Sequence, residues 1–161
     1  MRRATWALGA AVMWACGGCE TGAGGRREDG AVSARFYLES TRDGAGNATL
    51  PRSDVTISIL PKPVITEFDV VSVEIAEVEL GRCLKFQLTP AASRDLYRLT
   101  ASRLGRRLVL FLNGQAVGAR RIDQPIEDGA LLIFVERPDE ALPALVENLH
   151  ARIAILREAQ K

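Results

Sequence analysis

Alternating apolar and polar positions predict four strands in the first half of the chain. The first two occupy residues 34–39 and 55–59, where every second side chain is apolar. A third strand, over residues 73–80, changes phase once, which is typical of a β-bulge. The fourth occupies residues 83–88, and the turn that joins it to the third is predicted at Gly81-Arg82. This period of two indicates a sheet with one buried face.

The segments between these strands contain turn-forming residues. Residues 41–51 are polar and include glycine and asparagine, so we predict a loop there. Pro61 and Pro63 are predicted to end the second strand, because proline cannot donate a ladder hydrogen bond. Residues 66–71 are predicted to form a short helical turn.

Two helices are predicted in the second half of the chain. The first begins at Thr89-Pro90, because threonine is a good N-cap and proline is tolerated at the first helical position. Gly105 stands where a C-terminal cap is expected. The second helix begins near Asp139 and has one apolar stripe. The stripe consists of Leu142, Leu145, Val146, Leu149, Ile153 and Leu156.

A second hairpin is predicted between the two helices. Asn113-Gly114 lies between two apolar runs, and a type I′ turn requires positive φ at both of its central residues. Residues 130–136 are predicted to form a further strand. The elements together predict one α+β domain over residues 34–157, with a small mixed or antiparallel sheet packed against two helices.

The N-terminal segment has the pattern of an export signal. Arg2 and Arg3 form a basic start, residues 4–15 are apolar, and small residues follow. The apolar run is too short for a transmembrane helix, which needs about 20 residues. We therefore predict a lipoprotein-type signal peptide over residues 1–15 and a flexible Gly-rich tether over residues 16–33.

Two cysteines at the end of this segment are alternative lipidation sites. A small residue before a cysteine, after an apolar run, resembles the lipobox of bacterial lipoproteins, in which the acylated cysteine becomes the N-terminus. Ala15 precedes Cys16 and Gly18 precedes Cys19, so both cysteines are candidates. A redox or zinc site made by this pair would require a folded element around it, and is the less favoured interpretation. The acyl chains would hold the domain at a membrane.

The composition argues against a catalytic or metal centre. The 161-residue chain is 47% hydrophobic and 25% charged, with a formal net charge of +1, one histidine and three cysteines. The hydrophobic residues suffice for one core, whereas one histidine and three cysteines supply few metal ligands. His150 is not accompanied by a Gly-x-Ser-x-Gly motif, so a Ser-His-Asp hydrolase is not predicted. We expect no enzymatic activity, cofactor, metal ion or small-molecule substrate.

Charged residues are segregated along the chain although they cancel overall. An acidic stretch contains Glu67, Asp69, Glu74, Glu77 and Glu79. The arginines that follow form a candidate binding patch, consisting of Arg94, Arg98, Arg106, Arg107, Arg120 and Arg121. Their guanidinium groups would either bind carboxylates, phosphates or an acidic chain, or form internal ion pairs with the acidic stretch. Nucleic acid is not a predicted partner, because aromatic residues that could stack on bases are nearly missing among these arginines, with Tyr97 as the exception.

Several short motifs of the second half occur in a recognisable order. They are Phe86-Gln87-Leu88-Thr89-Pro90, Thr100, Gly105-Arg106-Arg107-Leu108, Leu112-Asn113-Gly114-Gln115-Ala116-Val117, Ala119, Ile122, Pro125-Ile126 and Gly129. This order resembles the head subdomain of the first periplasmic domain of SecD and SecDF, auxiliary subunits of the protein-export translocase. The resemblance covers residues 63–153 and implies a small sheet packed on two helices. Asn113 stands where the family's hairpin has aspartate, and Arg120 stands where a proline commonly follows the alanine.

The resemblance implies a binding role. In SecD and SecDF the head is assigned a contact with emerging polypeptide, and we expect the motor helices of that family to be absent from this chain. The expected function is a non-enzymatic, lipid-anchored module of the periplasm that binds polypeptide or an envelope protein, with a link to protein export. The alternative is a structural or assembly component of the cell envelope with no export role. A basic groove would favour the first function, and exposed apolar residues on the outer sheet face would favour the second.

Overall fold

The computed structural model describes residues 32–41 and 46–159, and within these residues the chain forms eight strands and two helices. In chain order they are β1 (Ala34–Glu39), β2 (Gly46–Thr49), β3 (Thr56–Ile65), β4 (Val70–Val78), β5 (Gly81–Leu88), α1 (Pro90–Ser102), β6 (Arg107–Leu112), β7 (Gln115–Arg121), β8 (Ala130–Ile133) and α2 (Leu142–Glu158). Short 3-10 turns occupy Glu67–Asp69 and Asp139–Ala141. The predicted signal peptide, the tether up to residue 31 and both candidate lipidation sites, Cys16 and Cys19, lie outside the described residues.

Five strands form a first antiparallel sheet in the order β2-β3-β1-β6-β7. The sheet curls, so that Cα atoms of its two edge strands, β2 and β7, come within 8 Å of one another although these strands do not pair. Its concave face encloses a small apolar core that includes Ile57, Val109 and Ala116. The rings of Tyr37 and Phe111 pack against this core with their centroids 4.8 Å apart.

The remaining strands form a second antiparallel sheet in the order β4-β5-β8. The main apolar core joins this sheet, both helices and the convex face of the first sheet. At its centre, Phe36 of β1 meets Phe86 of β5 edge to face, with ring centroids 5.0 Å apart. The helix α2 packs along β4 and buries Leu142, Leu149 and Ile153. No helix within residues 32–41 and 46–159 is long and apolar enough to cross a membrane.

The predicted α+β class, with antiparallel strands and two helices, is confirmed. Thr89 caps α1 by accepting a hydrogen bond from the N–H of Ala92 at 3.3 Å, and Pro90 is the first residue of the helix. Asn113 and Gly114 have φ angles of 49° and 81°, as a type I′ turn requires. These local motifs therefore form the structures that the sequence predicts.

Two predictions about the segments before and after Thr56–Ile59 are wrong. The predicted loop over residues 41–51 contains β2, which is too short and polar for alternation to reveal it. The second strand does not end before Pro61 and Pro63, because β3 continues through both prolines to Ile65. Within the described residues, β2 pairs with residues 56–59, so both prolines lie outside the described part of that ladder. The register between β1 and β3 also shifts beside them, so their missing N–H groups cost little pairing.

The hairpin between β4 and β5 also differs from the prediction. Its turn is formed by Glu79-Leu80, and Gly81 pairs with Val78 as the first residue of β5. Gly81 has a φ of 116°, a conformation that glycine adopts more readily than other residues. The bulge lies between Val70 and Ser72, earlier than the phase change in the sequence indicated.

The strand predicted over residues 130–136 ends at Ile133, because the next residues cross to the first sheet. There the N–H of Glu136 donates to the carbonyl oxygen of Val117 at 2.6 Å. The last helix begins at Leu142, after the 3-10 turn that starts at Asp139. Since β8 pairs with β5, the strands form two sheets rather than the one small sheet predicted.

Candidate functional site

The two arginines predicted on the first helix share one exposed face of α1. Arg94 and Arg98 line a shallow cavity of about 550 Å³ together with Tyr97 and Glu127. A guanidinium nitrogen of Arg98 lies 3.8 Å from a carboxylate oxygen of Asp95, and both side chains are 78% exposed. An ion pair so open to water contributes little to stability. The guanidinium groups of Arg94 and Arg98 are therefore both accessible to a partner.

Arg106 and Arg107 both contact Glu39 at the end of β1. Arg107 binds the Glu39 carboxylate through two guanidinium nitrogens, at 2.8 and 3.1 Å, and through its backbone N–H at 2.9 Å. Arg106 donates to the Glu39 carbonyl oxygen at 3.3 Å. The hydrogen bond from Arg107 lowers the pKa of Glu39, whose side chain is only 19% exposed. The guanidinium group of Arg107 is therefore bound within the protein, where it joins β6 to β1.

Arg120 and Arg121 are adjacent in β7 but act separately. Arg120 donates to the carbonyl oxygen of Leu132 in β8 at 3.0 Å, so it links the two sheets. It also lines a polar cleft of about 650 Å³ that contains Lys85. Arg121 lies opposite Arg107 in the β6–β7 ladder and 3.4 Å from the exposed Asp123.

The structure thus divides the predicted patch. Arg94 and Arg98 form one pair on α1, Arg106 and Arg107 meet at Glu39, and Arg120 bridges the sheets. Among the described residues, no ion pair joins any of the six arginines to the acidic stretch. Glu67 of that stretch is instead bound by Arg35 through two hydrogen bonds of 3.0 and 3.1 Å. The hydrogen bond from Arg35 lowers the pKa of Glu67.

A groove that the sequence did not indicate lies between the two edge strands of the curled sheet. Residues 47–49 of β2 form one wall, residues 115–117 of β7 form the other, and Phe111 lies between them. The volume of this β2–β7 groove is about 680 Å³, within the range of ligand-binding clefts. No sequence motif predicts it, because it depends on β2, which alternation does not reveal, and on the curl of the sheet.

The rim of the β2–β7 groove is basic. Arg52 and Arg137 line it, both are exposed, and neither forms an ion pair with a described residue. Glu136 also lines it, but its carboxylate accepts hydrogen bonds from the N–H groups of Arg52 and Ser53 at 2.7 and 3.1 Å. Burial alone would raise the pKa of Glu136, but the hydrogen bonds from Ser53 and Arg52 lower it. The Glu136 carboxylate is therefore ionised, and its negative charge interacts with the nearby Arg52.

His150 and Cys83 are both held by the fold itself, His150 through a hydrogen bond and Cys83 through burial. His150 on α2 lies with Nε2 2.7 Å from the carbonyl oxygen of Val73, at the edge of β4. Cys83 lies in β5, and its side chain is fully buried. Burial raises the pKa of the Cys83 thiol, which makes it a poor nucleophile. Within the described residues, no three His, Cys, Asp or Glu side chains are grouped as a metal site would require.

The two antiparallel sheets and two helices define an α+β fold of the SecDF type, as comparison with solved structures shows. No protein-family model and no curated protein matches the sequence. A crystal structure of SecDF in its super-membrane-facing form matches with a TM-score of 0.60 and 21% identity over 77% of this chain. A structure of SecDF, described as a membrane component that enhances protein export, matches with a TM-score of 0.57 and 23% identity over 76%. SecDF from Thermus thermophilus, described as a translocon-associated membrane protein, matches with a TM-score of 0.51 and 18% identity over 75%.

The chain spans only part of these proteins. It covers 19%, 62% and 20% of the three matched chains, in the order given. At these identities the likeness shows the fold, and the fold predicted from the motifs between Phe86 and Gly129 is confirmed. The activity and partners of the complete SecDF proteins can be assigned to this chain only as a proposal.

Proposed function

We propose that this chain is a non-enzymatic module of the periplasm that binds extended polypeptide or an envelope protein and takes part in protein export. The observation that carries the proposal is the SecDF-type fold, which is matched at a TM-score of 0.60. The N-terminal export pattern supports a location outside the cytoplasm. In this proposal, residues 34–157 form one binding domain carried on the tether over residues 16–33.

Two basic surfaces support binding of an acidic or carboxylate-bearing chain. The first is the exposed pair Arg94 and Arg98, which we retain from the predicted patch because their guanidinium groups are accessible. The second is the β2–β7 groove with Arg52 and Arg137 on its rim. A basic groove favours polypeptide binding over the alternative of a purely structural envelope component.

Binding is tested with a permanently unfolded polypeptide. Fluorescently labelled lactalbumin, reduced and carboxymethylated, is titrated with the full chain, and native folded lactalbumin is the control. We expect the unfolded form to bind and the folded form not to bind. Absence of binding to the unfolded form, or equal binding to both forms, would overturn the proposed function.

The role of the helix arginines is tested with the double variant Arg94→Gln/Arg98→Gln. We expect it to bind carboxymethylated lactalbumin more weakly, while its binding to the uncharged carbamidomethylated form changes less, because guanidinium groups recognise carboxylates. The matched control removes two other exposed arginines, Arg82 and Arg103, by the same substitutions. Equal losses in both double variants would show that net charge, rather than this pair, determines binding.

Lipid anchoring is a separate part of the proposal. The full chain is expressed in cells that receive radiolabelled palmitate, together with the variants Cys16→Ser and Cys19→Ser. We expect one of the two variants to lose the label and to leave the membrane fraction. Retention of the label in both variants, or an unlabelled wild type, would contradict lipidation at these positions.

The link to export is tested by cross-linking in intact cells and identification of the bound partner. Recovery of export-machinery subunits or unfolded exported chains supports the link. Recovery of folded envelope proteins alone would favour the structural alternative.

A further inference from the structure

The loop between β7 and β8 packs along one side of α1. Near the end of the helix, the N–H of Ile126 donates to the hydroxyl group of Thr100 at 3.0 Å. Near the start of the helix, Gly129 lies so close to Ser93 that a Cβ atom on the glycine would overlap the serine hydroxyl group. The loop therefore runs antiparallel to the helix and is held against it near both ends.

A cleft lies between this loop and the exposed face of α1. Ser93, Tyr97 and Thr100 have the spacing of one helical stripe, so Tyr97 lies between the two contacts with the loop. Arg94 and Arg98 each follow this stripe by one residue, about 100° further around the helix. The arginines therefore border one side of the cleft, and the loop borders the other. We call this cavity of about 550 Å³ the α1 cleft, and the residues that line it are Ser93, Arg94, Tyr97, Arg98 and Glu127.

The charges on both sides of the α1 cleft are available to a partner. Among the ion pairs within residues 32–41 and 46–159, none involves Arg94 or Glu127. Arg98 has its exposed contact with Asp95, which water weakens. Although Arg94 and Glu127 line the same cavity, they do not pair with one another, so the cleft keeps opposite charges apart. Tyr97, which is 42% exposed, adds an aromatic surface beside them.

The spacing of the two arginines suits an extended chain. Four residues of helix separate Arg94 from Arg98, which is about 6.0 Å along the axis at 1.5 Å per residue. In an extended chain, residues i and i+2 lie on the same side and about 6.6 Å apart, at roughly 3.3 Å per residue. Two carboxylates at alternate positions can therefore reach both guanidinium groups. The side chain between them points to the opposite side, which in this cleft is the side of Glu127.

We propose that the α1 cleft binds an extended polypeptide segment in which two acidic residues flank one basic residue. This inference rests on the proposed function and specifies the charge pattern of the polypeptide. The two carboxylates contact Arg94 and Arg98, and the basic group contacts Glu127, so the charges of segment and cleft are complementary. The alkyl part of the basic side chain packs on Tyr97. Because each of these ion pairs is exposed, a single segment binds weakly.

The charge order is tested with two synthetic peptides of the same composition. Each has two glutamates and one lysine among glycines and serines, and its ends are blocked. In the first peptide the lysine stands between the glutamates, and in the second it follows both. Binding is measured from the amide chemical shifts of the isotope-labelled full chain. We expect the first peptide to shift amides of the α1 cleft and to bind about three- to fivefold more tightly, because adjacent glutamates point to opposite sides and lose one arginine.

The contact with the basic residue is tested by a double-mutant cycle. A third peptide carries glutamine between its two glutamates. The wild-type chain should bind the lysine peptide about three- to fivefold more tightly than the glutamine peptide, and Glu127→Gln should abolish this preference. The matched control, Glu147→Gln, removes an exposed carboxylate of α2 that lies outside the α1 cleft, and it should keep the preference. A preference that persists in Glu127→Gln would contradict the contact.

The arginines are tested with the same peptides. Arg94→Gln/Arg98→Gln should bind the first and second peptides equally, because the pair that distinguishes their charge order is gone. Arg82→Gln/Arg103→Gln removes the same charge from exposed positions that do not line the α1 cleft, and it should still prefer the first peptide. An equal loss of preference in both double variants would show that net charge, and not this spacing, selects the peptide.

The outcomes separate this inference from the proposed function. If the wild-type chain binds neither carboxymethylated lactalbumin nor any peptide, the proposed function fails. If it binds lactalbumin but does not distinguish the peptides, or if the shifted amides lie outside the α1 cleft, the function stands and this inference is wrong. If phosphatidylglycerol vesicles shift the amides of the α1 cleft and the peptides do not, the cleft is a lipid site and the inference is overturned.

Discussion

Replacing Thr100 with valine removes a buried hydroxyl group and preserves the shape of the side chain. Thr100 is fully buried in the last turn of α1. Its hydroxyl group donates to the carbonyl oxygen of Leu96 at 2.8 Å and accepts from the N–H of Ile126 at 3.0 Å. This group therefore joins the helix to the segment that leads into β8.

The size of the destabilisation depends on which hydrogen-bond partner of Thr100 the substitution leaves unpaired. The carbonyl oxygen of Leu96 keeps its ordinary helix hydrogen bond, so it loses little. The N–H of Ile126 is buried and loses its acceptor, and an orphaned buried donor costs about 1–3 kcal/mol. Valine and threonine have similar helix propensities and nearly equal volumes, so neither a cavity nor propensity adds to this cost. We expect Thr100→Val to destabilise the protein by about 2 kcal/mol.

The matched control is Thr100→Ser, which keeps the hydroxyl group and removes one methyl group, at a cost of about 1 kcal/mol. Both variants are measured by urea unfolding followed by circular dichroism. With a denaturant dependence of about 1–3 kcal/mol per molar urea, the valine variant should unfold about 1 M earlier than wild type, and the serine variant about half as much earlier. If serine destabilises as much as valine or more, methyl packing rather than the hydrogen bond holds this segment, and the reasoning fails.

Three further predictions concern charge and backbone conformation. Because Arg107 holds the pKa of Glu39 below its ordinary value of 4.5, the stabilisation from this pair is present above about pH 4.5 and lost as pH falls through the folded-state pKa. Glu39→Gln should therefore flatten the acid decline of the urea midpoint, and an unchanged decline would contradict this. Gly118→Ala places a methyl group against the backbone carbonyl of Phe134 and should cost about 1–3 kcal/mol, whereas an unshifted Tm would refute the contact. Gly114→Ala meets no atom within 4 Å but has a φ of 81°, so calorimetry should show a loss of only about 1–2 kcal/mol.

Local chemistry explains which parts of the fold were predictable. The cap of α1 depends on Thr89, Pro90 and Ala92, which are neighbours in sequence. The turn between β6 and β7 depends on the positive φ angles of Asn113 and Gly114. In both cases the residues that determine the structure are adjacent, so the sequence was sufficient.

Distant contacts explain the parts that were not predictable. The strand β2 is defined by its pairing with β3, and its own four residues show no clear alternation. The prolines Pro61 and Pro63 lie in a strand at a point where the register between β1 and β3 shifts. The end of β8 at Ile133 is determined by the crossing of the next residues to β7. Each outcome depends on a neighbour that is remote in the chain.

The structure gives a physical reason for one of the motifs that resemble SecD and SecDF, the threonine at position 100. A late threonine in the first helix looks unremarkable as a sequence pattern, because threonine is a modest helix former. In the structure its hydroxyl group supplies the acceptor that the buried N–H of Ile126 requires. The Pro125-Ile126 turn and Thr100 therefore form one structural unit, although 25 or more residues separate them in the sequence.

The arginines show why charge counted along the sequence does not locate the exposed basic surfaces of the fold. Counting charges along the chain selected Arg107 because it lies in a basic run, but its guanidinium group is bound by Glu39. The same count passed over Arg52 and Arg137, which stand apart in sequence and flank one groove. A charge contributes to recognition only if no residue of its own protein has already neutralised it. The partners of the arginines are determined by strand pairing, by helix spacing and by the contact between the sheets. A basic surface can therefore be assigned only after the internal ion pairs are known.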